Sequence, residues 1–232
     1  MRRAVRLLGT LLIVAGVATL AWAVVVWRWE DPVTSVYTGW QQRQLESAYD
    51  ERARAFAATE VPEAETASAA DRARVVAAAA RRYRADLERG DAVARLHVPR
   101  IDVDMLVVEG TDDDTLKRGP GRYRGSALPG ESRLVYIAGH RTTYGAPFSH
   151  IDRLRRGDRV MLELPYATFE YRITGHRIVA ADALEVLRPG RREVLALQAC
   201  HPRFFATQRW IAYASPVKVT PRGAPAFRPL PL

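Results

Sequence analysis

The chain has 232 residues, a formal charge of +9 from 35 basic against 26 acidic residues, 48% hydrophobic residues and a single cysteine. That length accommodates one ordinary domain with attachments, and one thiol excludes an internal disulfide framework. The arginines are dispersed, without the clustered stripe or aromatic platform of a nucleic-acid site, so no nucleic-acid partner is expected. The charge reads first as arginine-rich composition, and second as attraction to anionic lipid headgroups or wall polymers.

The first predicted element is a membrane span. Leu7–Trp27, LLGTLLIVAGVATLAWAVVVW, carries no charge. At about 1.5 Å per residue such a helix spans roughly 30 Å, the thickness of a bilayer core. Arg2, Arg3 and Arg6 precede it, and Trp22, Trp27 and Trp29 crowd its far end, where amphipathic rings favour the interface. The run continues into bulky VVVWRW without a small-x-small cleavage site, so it reads as a retained anchor rather than a signal peptide. Basic flanks stay inside. Residues 1–29 are therefore expected to form a cytoplasmic tip and single-pass anchor, with the rest of the chain outside the cell.

Residues 30–90 read as a helical stalk. TGWQQRQLESAYDERARAFAA and ASAADRARVVAAAARRYRADLERG are rich in strong helix formers, and Pro62 in TEVPEAET breaks between them. Thr66, Ser68 and Asp71 offer caps for the second helix, and Gly90 offers an end. Trp40, Leu45, Tyr49 and Phe56 make only a ragged apolar stripe. Loosely docked helices without a catalytic role are expected.

From Ala94 the pattern changes to short β-type runs: ARLHVPRI, VDMLVVEG, RLVYIAGH, RVMLELP, TFEYRITGHRIVA, EVLALQAC and RWIAYASPVKV. Gly/Pro clusters (RGPGRYRG, LPGES, RRGD, RPGRR) separate them. Seven or eight strands with few helices predict a mostly β fold, a closed or nearly closed barrel over residues 91–222. DDDTLKRG and FSHIDRLR supply helical turns, and residues 223–232 form a proline-rich tail. Because this region holds every candidate catalytic residue, residues 1–90 are expected to be dispensable for a soluble, active domain.

Three residues stand out by position. His140 ends RLVYIAGH, Cys200 ends EVLALQAC and Arg209 begins RWIAYA. A lone thiol is either inert core packing or reactive chemistry. If the last two strands pair antiparallel, Cys200 and Arg209 face each other across the loop, and a neighbouring His140 strand puts all three on one rim. A thiolate attacks a peptide carbonyl to give a thioester. An imidazole titrating near neutrality supplies the proton that the leaving amine needs. A fixed guanidinium stabilises the developing oxyanion or holds the substrate carbonyl.

At these residues the chain resembles a sortase, a membrane-anchored cysteine transpeptidase of Gram-positive bacteria. Ile137-Ala138-Gly139-His140-Arg141 matches the histidine strand of the family, and Leu197-x-x-Cys200 followed by Arg209 matches its cysteine and arginine strands. The similarity extends from about Leu96 to Val219, and HRTTYGAPFSHIDRL with CHP especially resembles the class E sortases of actinobacteria. Two departures stand out. Ala196 and Ala199 replace the threonines of the cysteine motif, which leaves the Ala199 backbone N–H but no hydroxyl beside the oxyanion site. Arg122 stands where G-H-Y is common in relatives.

The resemblance implies a sortase-like closed β-barrel of seven to eight strands, with Cys200 as nucleophile, His140 as general acid/base and Arg209 positioning the oxyanion or substrate. It implies cleavage of a C-terminal sorting signal resembling Leu-Pro-x-Thr-Gly or Leu-Ala-x-Thr-Gly between Thr and Gly, then transfer to an amine. The implied partners are surface proteins bearing that signal, a peptidoglycan-precursor amine and the cell membrane. Thr142, Tyr144 and, beside the nucleophile, His201 are candidates for lining the substrate groove. Asp31–Val33, DPV, superficially resembles the lid motif of pilin-polymerising sortases but lies against the anchor, so no lid is expected.

No cofactor or metal is expected. His97, His150 and His176 lack metal-ligand spacing, and Asp112–Asp114 reads as a solvated turn rather than a Ca²⁺ loop. Two other classes stay open: an extracellular cysteine peptidase that only hydrolyses, and a non-catalytic wall-binding module. Papain-like chemistry would place the cysteine before the histidine and use an Asn or Asp to orient it. Here the order is His then Cys, on strands.

Overall fold

Short apolar-rich runs from Ala92 onward build a sheet of eight strands. In this computed structural model, which describes residues 2–29, 32–58 and 68–229, they are β1 (Ala92–Val98), β2 (Val103–Glu109), β3 (Gly121–Arg122), β4 (Leu134–Ala138), β5 (Arg159–Leu164), β6 (Ala167–Ala180), β7 (Val194–His201) and β8 (Gln208–Pro221). The hydrogen-bonded order β1-β2-β3-β4-β7-β8-β6-β5 closes on itself through β5 and β1. Closure removes the unpaired edges that an open sheet would expose. Seven strands match runs read from the sequence. The eighth, β3, has only two residues, too few to carry an alternation.

The inner face is set by the period of two. Leu195, Leu197 and Ala199 of β7, Ala212 and Ala214 of β8, and Val135 and Ile137 of β4 all point into the main core. Their alternates Ala196, Ile211, Leu134 and Tyr136 form a second cluster on the outer face of the same three strands. The expected helical turns are a short helix at Asp113–Leu116, capped by the Asp112 carboxylate accepting from the Thr115 N–H at 3.1 Å, and a 3-10 turn at Ile151–Arg153.

Three helices precede the barrel: α1 (Arg2–Trp29), α2 (Pro32–Ala58) and α3 (Ala69–Ala85). In α1 the stretch Arg2–Val25 is long and apolar enough to cross a membrane, with a mean hydropathy of 2.3 and no buried share. It is therefore no core helix of the barrel. Ser68 caps α3, its hydroxyl accepting from the Asp71 N–H at 3.2 Å. Thr66 and the breaker Pro62 lie outside the described residues, as does Asp31; Pro32 and Val33 open α2.

The expectation of loosely docked helices is corrected by the packing. Thr38, Gln42, Leu45, Tyr49 and Phe56 recur at helical spacing along one face of α2, and that face lies on the barrel. Leu45 and Tyr49 pack with Ala92, Leu106 and Val108. Phe56 meets Tyr83 of α3 edge-on at 5.4 Å and Tyr166 at 6.3 Å. Gln42 acts as a backbone partner: it accepts from the Leu106 N–H (2.7 Å) and donates to the carbonyls of Leu106 (3.0 Å) and Arg118 (2.8 Å). From α3, Val76, Ala79, Ala80 and Tyr83 join the main core. At about 1.5–3 kcal/mol per buried large apolar side chain, a chain cut at residue 91 forfeits most of this and bares Leu106, Val108 and Tyr166.

Arg122 has a structural reason for its presence. Its guanidinium donates to Glu109 at 2.7 and 2.5 Å and to the Ser126 carbonyl at 2.5 Å, and both side chains are buried. Removing one partner of a buried, bidentate pair strands a charge, at a cost of about 3–5 kcal/mol.

Candidate active site

The rim is built by three neighbouring strands. β7 pairs antiparallel with β8 in a register that sets Cys200 directly opposite Arg209 and Gln198 opposite Ile211. On its other side β7 runs parallel to β4, with Tyr136 level with Ala196 and Ala138 level with Gln198. The Gly139 N–H extends that ladder, donating to the Gln198 carbonyl at 2.9 Å. His140 and Cys200 each come two residues after the matched pair Ala138 and Gln198, so the chain brings them level with one another. Cys200 thus sits between a histidine on one neighbour and an arginine on the other. It shares its face with Gln198 and Ala196, away from the core-filling Ala199 and Leu197.

The outer-face cluster lies on the same face of the sheet as Cys200. Tyr136, Ala196 and Ile211 are buried in it, covered by Tyr123 and by the apolar Ala183, Val186 and Leu187 of the β6–β7 connection. The Tyr136 hydroxyl donates to Gln198 Oε1 at 2.5 Å, which ties β4 to β7 on this face. Arg209 is anchored through Nη1, which donates to the carbonyls of Ala206 (2.8 Å) and Gln208 (2.9 Å). The guanidinium is held at the mouth of the β7–β8 loop rather than free to swing.

The histidine loop is tightly held. Gly139 lies against the Phe148 ring, where a Cβ would approach to 2.7 Å, so no larger residue fits before His140. His140 packs against Tyr144 with ring centres 5.2 Å apart, and its Nε2 is buried without a hydrogen-bond partner among the described residues. Burial pushes its imidazole below the ordinary range. Asp113 opposes that shift and Lys117 adds to it. Burial therefore favours the neutral ring over the charged one.

Tyr144 itself adopts a left-handed backbone, φ 54°, which costs a non-glycine residue about 1–2 kcal/mol. The start of α2 supports that geometry. The Tyr144 N–H donates to Thr34 Oγ1 at 2.7 Å, and its ring meets Tyr37 edge-on at 6.4 Å. One helical turn on, the buried Thr38 donates to the Lys117 carbonyl at 2.8 Å. So the helix read as a stalk without a role in the site holds the loop that carries His140.

Of the other candidates, Tyr144 lies against His140, and Thr142 is half-buried two residues after it. His201 is turned elsewhere. Its Nδ1 lies 2.9 Å from Arg141 Nη1 and its ring packs on Trp210, as its opposite position in the strand alternation dictates. Sequence reasoning passed over Arg141. Buried beside His140, it donates to the Cys200 carbonyl at 3.2 Å and pairs with Asp152 at 3.1 Å, strapping the histidine loop to the cysteine strand. The signal was the arginine closing IAGHR, quoted as a motif but given no task.

No group of three or more His, Cys, Asp or Glu side chains suited to a metal occurs among the described residues. A cavity of about 370 Å³ bounded by Val76, Phe169, Glu193 and Phe227 excludes all three rim residues. Its carboxylate is fully engaged by the Tyr171 hydroxyl (2.6 Å) and the Gly130 N–H (2.7 Å).

Comparison with known proteins follows this geometry. The family model for the sortase domain matches residues 96–217. Sortase D of Bacillus subtilis (strain 168) is 34% identical over 134 residues, covering 56% of this chain and 66% of that protein. Sortase SrtE1 of Streptomyces coelicolor is 30% identical over 151 residues, covering 58% of this chain and 43% of that protein. The chain therefore spans just under two thirds of one relative and less than half of the other. The crystal structure of sortase E1 from Streptomyces coelicolor, with a tripeptide in its active site, superposes with a TM-score of 0.54 at 29% identity. That match covers 59% of this chain and 95% of the other.

Proposed function

The chain belongs to the sortase family, and on that premise we propose that it is a cysteine transpeptidase joining a cleaved sorting signal to a cell-wall amine. The observation that carries the proposal is the register that flanks Cys200 with Arg209 and His140. His140, neutral at rest, takes the Cys200 proton as Sγ attacks the carbonyl carbon between Thr and Gly of the signal. Arg209 and the Ala199 N–H face the oxyanion. As the C–N bond breaks, His140 returns that proton to the departing amine, and the Thr acyl group remains on Sγ as a thioester. An incoming amine reverses the sequence: it attacks the thioester, gives its proton through His140 to the departing thiolate, and forms the new amide. The signal it takes is LPXTG-like or LAXTG-like. With α1 as anchor and its arginines inside, the rim faces the outer side of the membrane.

Incubating the full chain with a sorting-signal peptide and an amine tests the reading. Ligation of the N-terminal peptide fragment to the amine is the expected product. Hydrolysis alone would assign a peptidase, and an unchanged peptide would assign a binding module.

The pH dependence follows from burial of His140. Its lowered pKa keeps the neutral base available at pH values where an ordinary imidazole is already protonated. Activity in kcat/KM should therefore persist below about pH 6.5, the unperturbed histidine value, and fall only as pH drops through the lowered one. In Tyr144→Ala the ring is uncovered and that acidic limb should move upward, towards the ordinary value. A kcat/KM profile from pH 4.5 to 8 checks this; an unmoved limb would remove Tyr144 from the account of His140.

A further inference from the structure

The end of the barrel that carries the rim also carries exposed aromatic side chains that transpeptidation leaves unused. β4 and β7 run parallel, so the loops after them, residues 139–150 and 202–207, leave from one end. In the second loop Phe204 and Phe205 are 49% and 77% exposed. Phe204 is held at φ 71°, with the Arg203 guanidinium 5.6 Å from its ring centre. The first loop carries Tyr144, which is bonded to Thr34 and packed on Tyr37. Beside those two α2 residues, Val36 (72%) and Trp40 (47%) are also exposed. Aqueous solvent gives such side chains no compensation. A lipid interface does, since Trp, Tyr and Phe favour headgroup depth and a neighbouring arginine keeps its charge in the polar layer.

Chain length fixes where that interface lies. Trp29 ends the apolar α1, and Thr34 follows five residues later. At no more than about 3.6 Å per residue, Thr34, to which the histidine loop is bonded, cannot stand further than about 18 Å from the end of α1. We infer that the catalytic rim rests on the phospholipid surface of the membrane that α1 crosses. Val36, Tyr37 and Trp40 make contact on one side, and Phe204 with Phe205 on the other. The inference rests on reading α1 as an anchor. It sets Cys200 close to headgroup level, so that substrates approach along the bilayer rather than from bulk solvent.

The test reads depth without needing turnover, so its failure is separate from failure of the transpeptidase reading. A full-length Cys200→Ser, Phe205→Cys protein carries a nitroxide in phosphatidylcholine–phosphatidylglycerol vesicles, and collision with oxygen is compared with collision with a water-soluble nickel chelate. A Cys200→Ser, Arg191→Cys protein is the control. Arg191 is exposed and precedes β7 at its opposite end, about 25 Å away at roughly 3.3 Å per residue. The expected result is an oxygen-to-nickel ratio severalfold higher at 205 than at 191. Equal, water-like ratios would overturn the inference, and failure of the chain to float with vesicles would overturn the anchor reading as well. With native Cys200, Phe204→Ser/Phe205→Ser should slow transfer from a lipid-tethered peptide severalfold and leave transfer from a soluble peptide unchanged. Equal losses on both would also contradict it.

Discussion

Cys200→Ala is expected to fold normally and to lose cleavage and transfer together. The residue is a half-buried free thiol near the end of β7, on the face opposite the core-filling Leu195, Leu197 and Ala199. Replacing Sγ by hydrogen therefore removes no core contact, and stability should stay within about 0.5 kcal/mol of the parent. Chemically the loss is complete. No other thiol exists in the chain to receive the acyl group, and His140 with Arg209 alone would have to activate water directly. In a serine protease, removing the nucleophile costs about 10⁶ in kcat, and a similar fall is expected here, to a residue owed to binding and oxyanion contacts. Thermal unfolding together with peptide cleavage, both against the parent, checks the pair of claims. Turnover retained within tenfold would remove Cys200 from the mechanism.

Arg209→Lys is expected to keep the charge and lose most of the rate. The guanidinium is planar, with its Nη1 tied to two loop carbonyls, so its remaining N–H groups have a fixed direction relative to the opposite Cys200. A lysine ammonium carries the same charge on a flexible stem and offers no fork. It would also leave the Ala206 and Gln208 carbonyls to solvent, a small loss on an exposed loop. Loss of one oxyanion donor costs about 10²–10³ in kcat, roughly 3–4 kcal/mol. Arg209→Lys should fall by that factor with KM little changed, and Arg209→Ala should fall at least as far. Near-parental kcat in the lysine protein would mean that charge alone suffices and that directed donation plays no part.

Most of the barrel was legible because its strands alternate cleanly. Leu195, Leu197 and Ala199 against Ala196, Gln198 and Cys200 is a period of two that needs no other information. The rim followed from the same signal. Once the last two strands pair antiparallel, their connecting loop nearly fixes the Cys200–Arg209 match that β7 and β8 show. The docking of α2 was not legible, and the reason is physical. Its contact face contains Thr38 and Gln42 at the helical positions where a hydrophobic pattern expects Leu or Val, because those residues bond barrel backbone at Leu106, Lys117 and Arg118 instead of filling a core. A polar residue that satisfies another element's backbone is indistinguishable in sequence from one facing water. Strand β3 escaped notice because it is too short for any period. Arg141 escaped because Cys200 is brought to it only by the parallel pairing of β4 with β7, and Asp152 only by the fold of the long connection after β4.

The central claim is that Cys200 becomes acylated between cleavage and transfer. Intact-mass measurement of the full chain after exposure to a sorting-signal peptide, with no amine present, tests it most directly. The account predicts a mass increase equal to the N-terminal peptide fragment, located on the peptide containing Cys200 and discharged on adding a primary amine. Cleavage that proceeds with Cys200 never acylated, even when quenched at the earliest turnover, would contradict it.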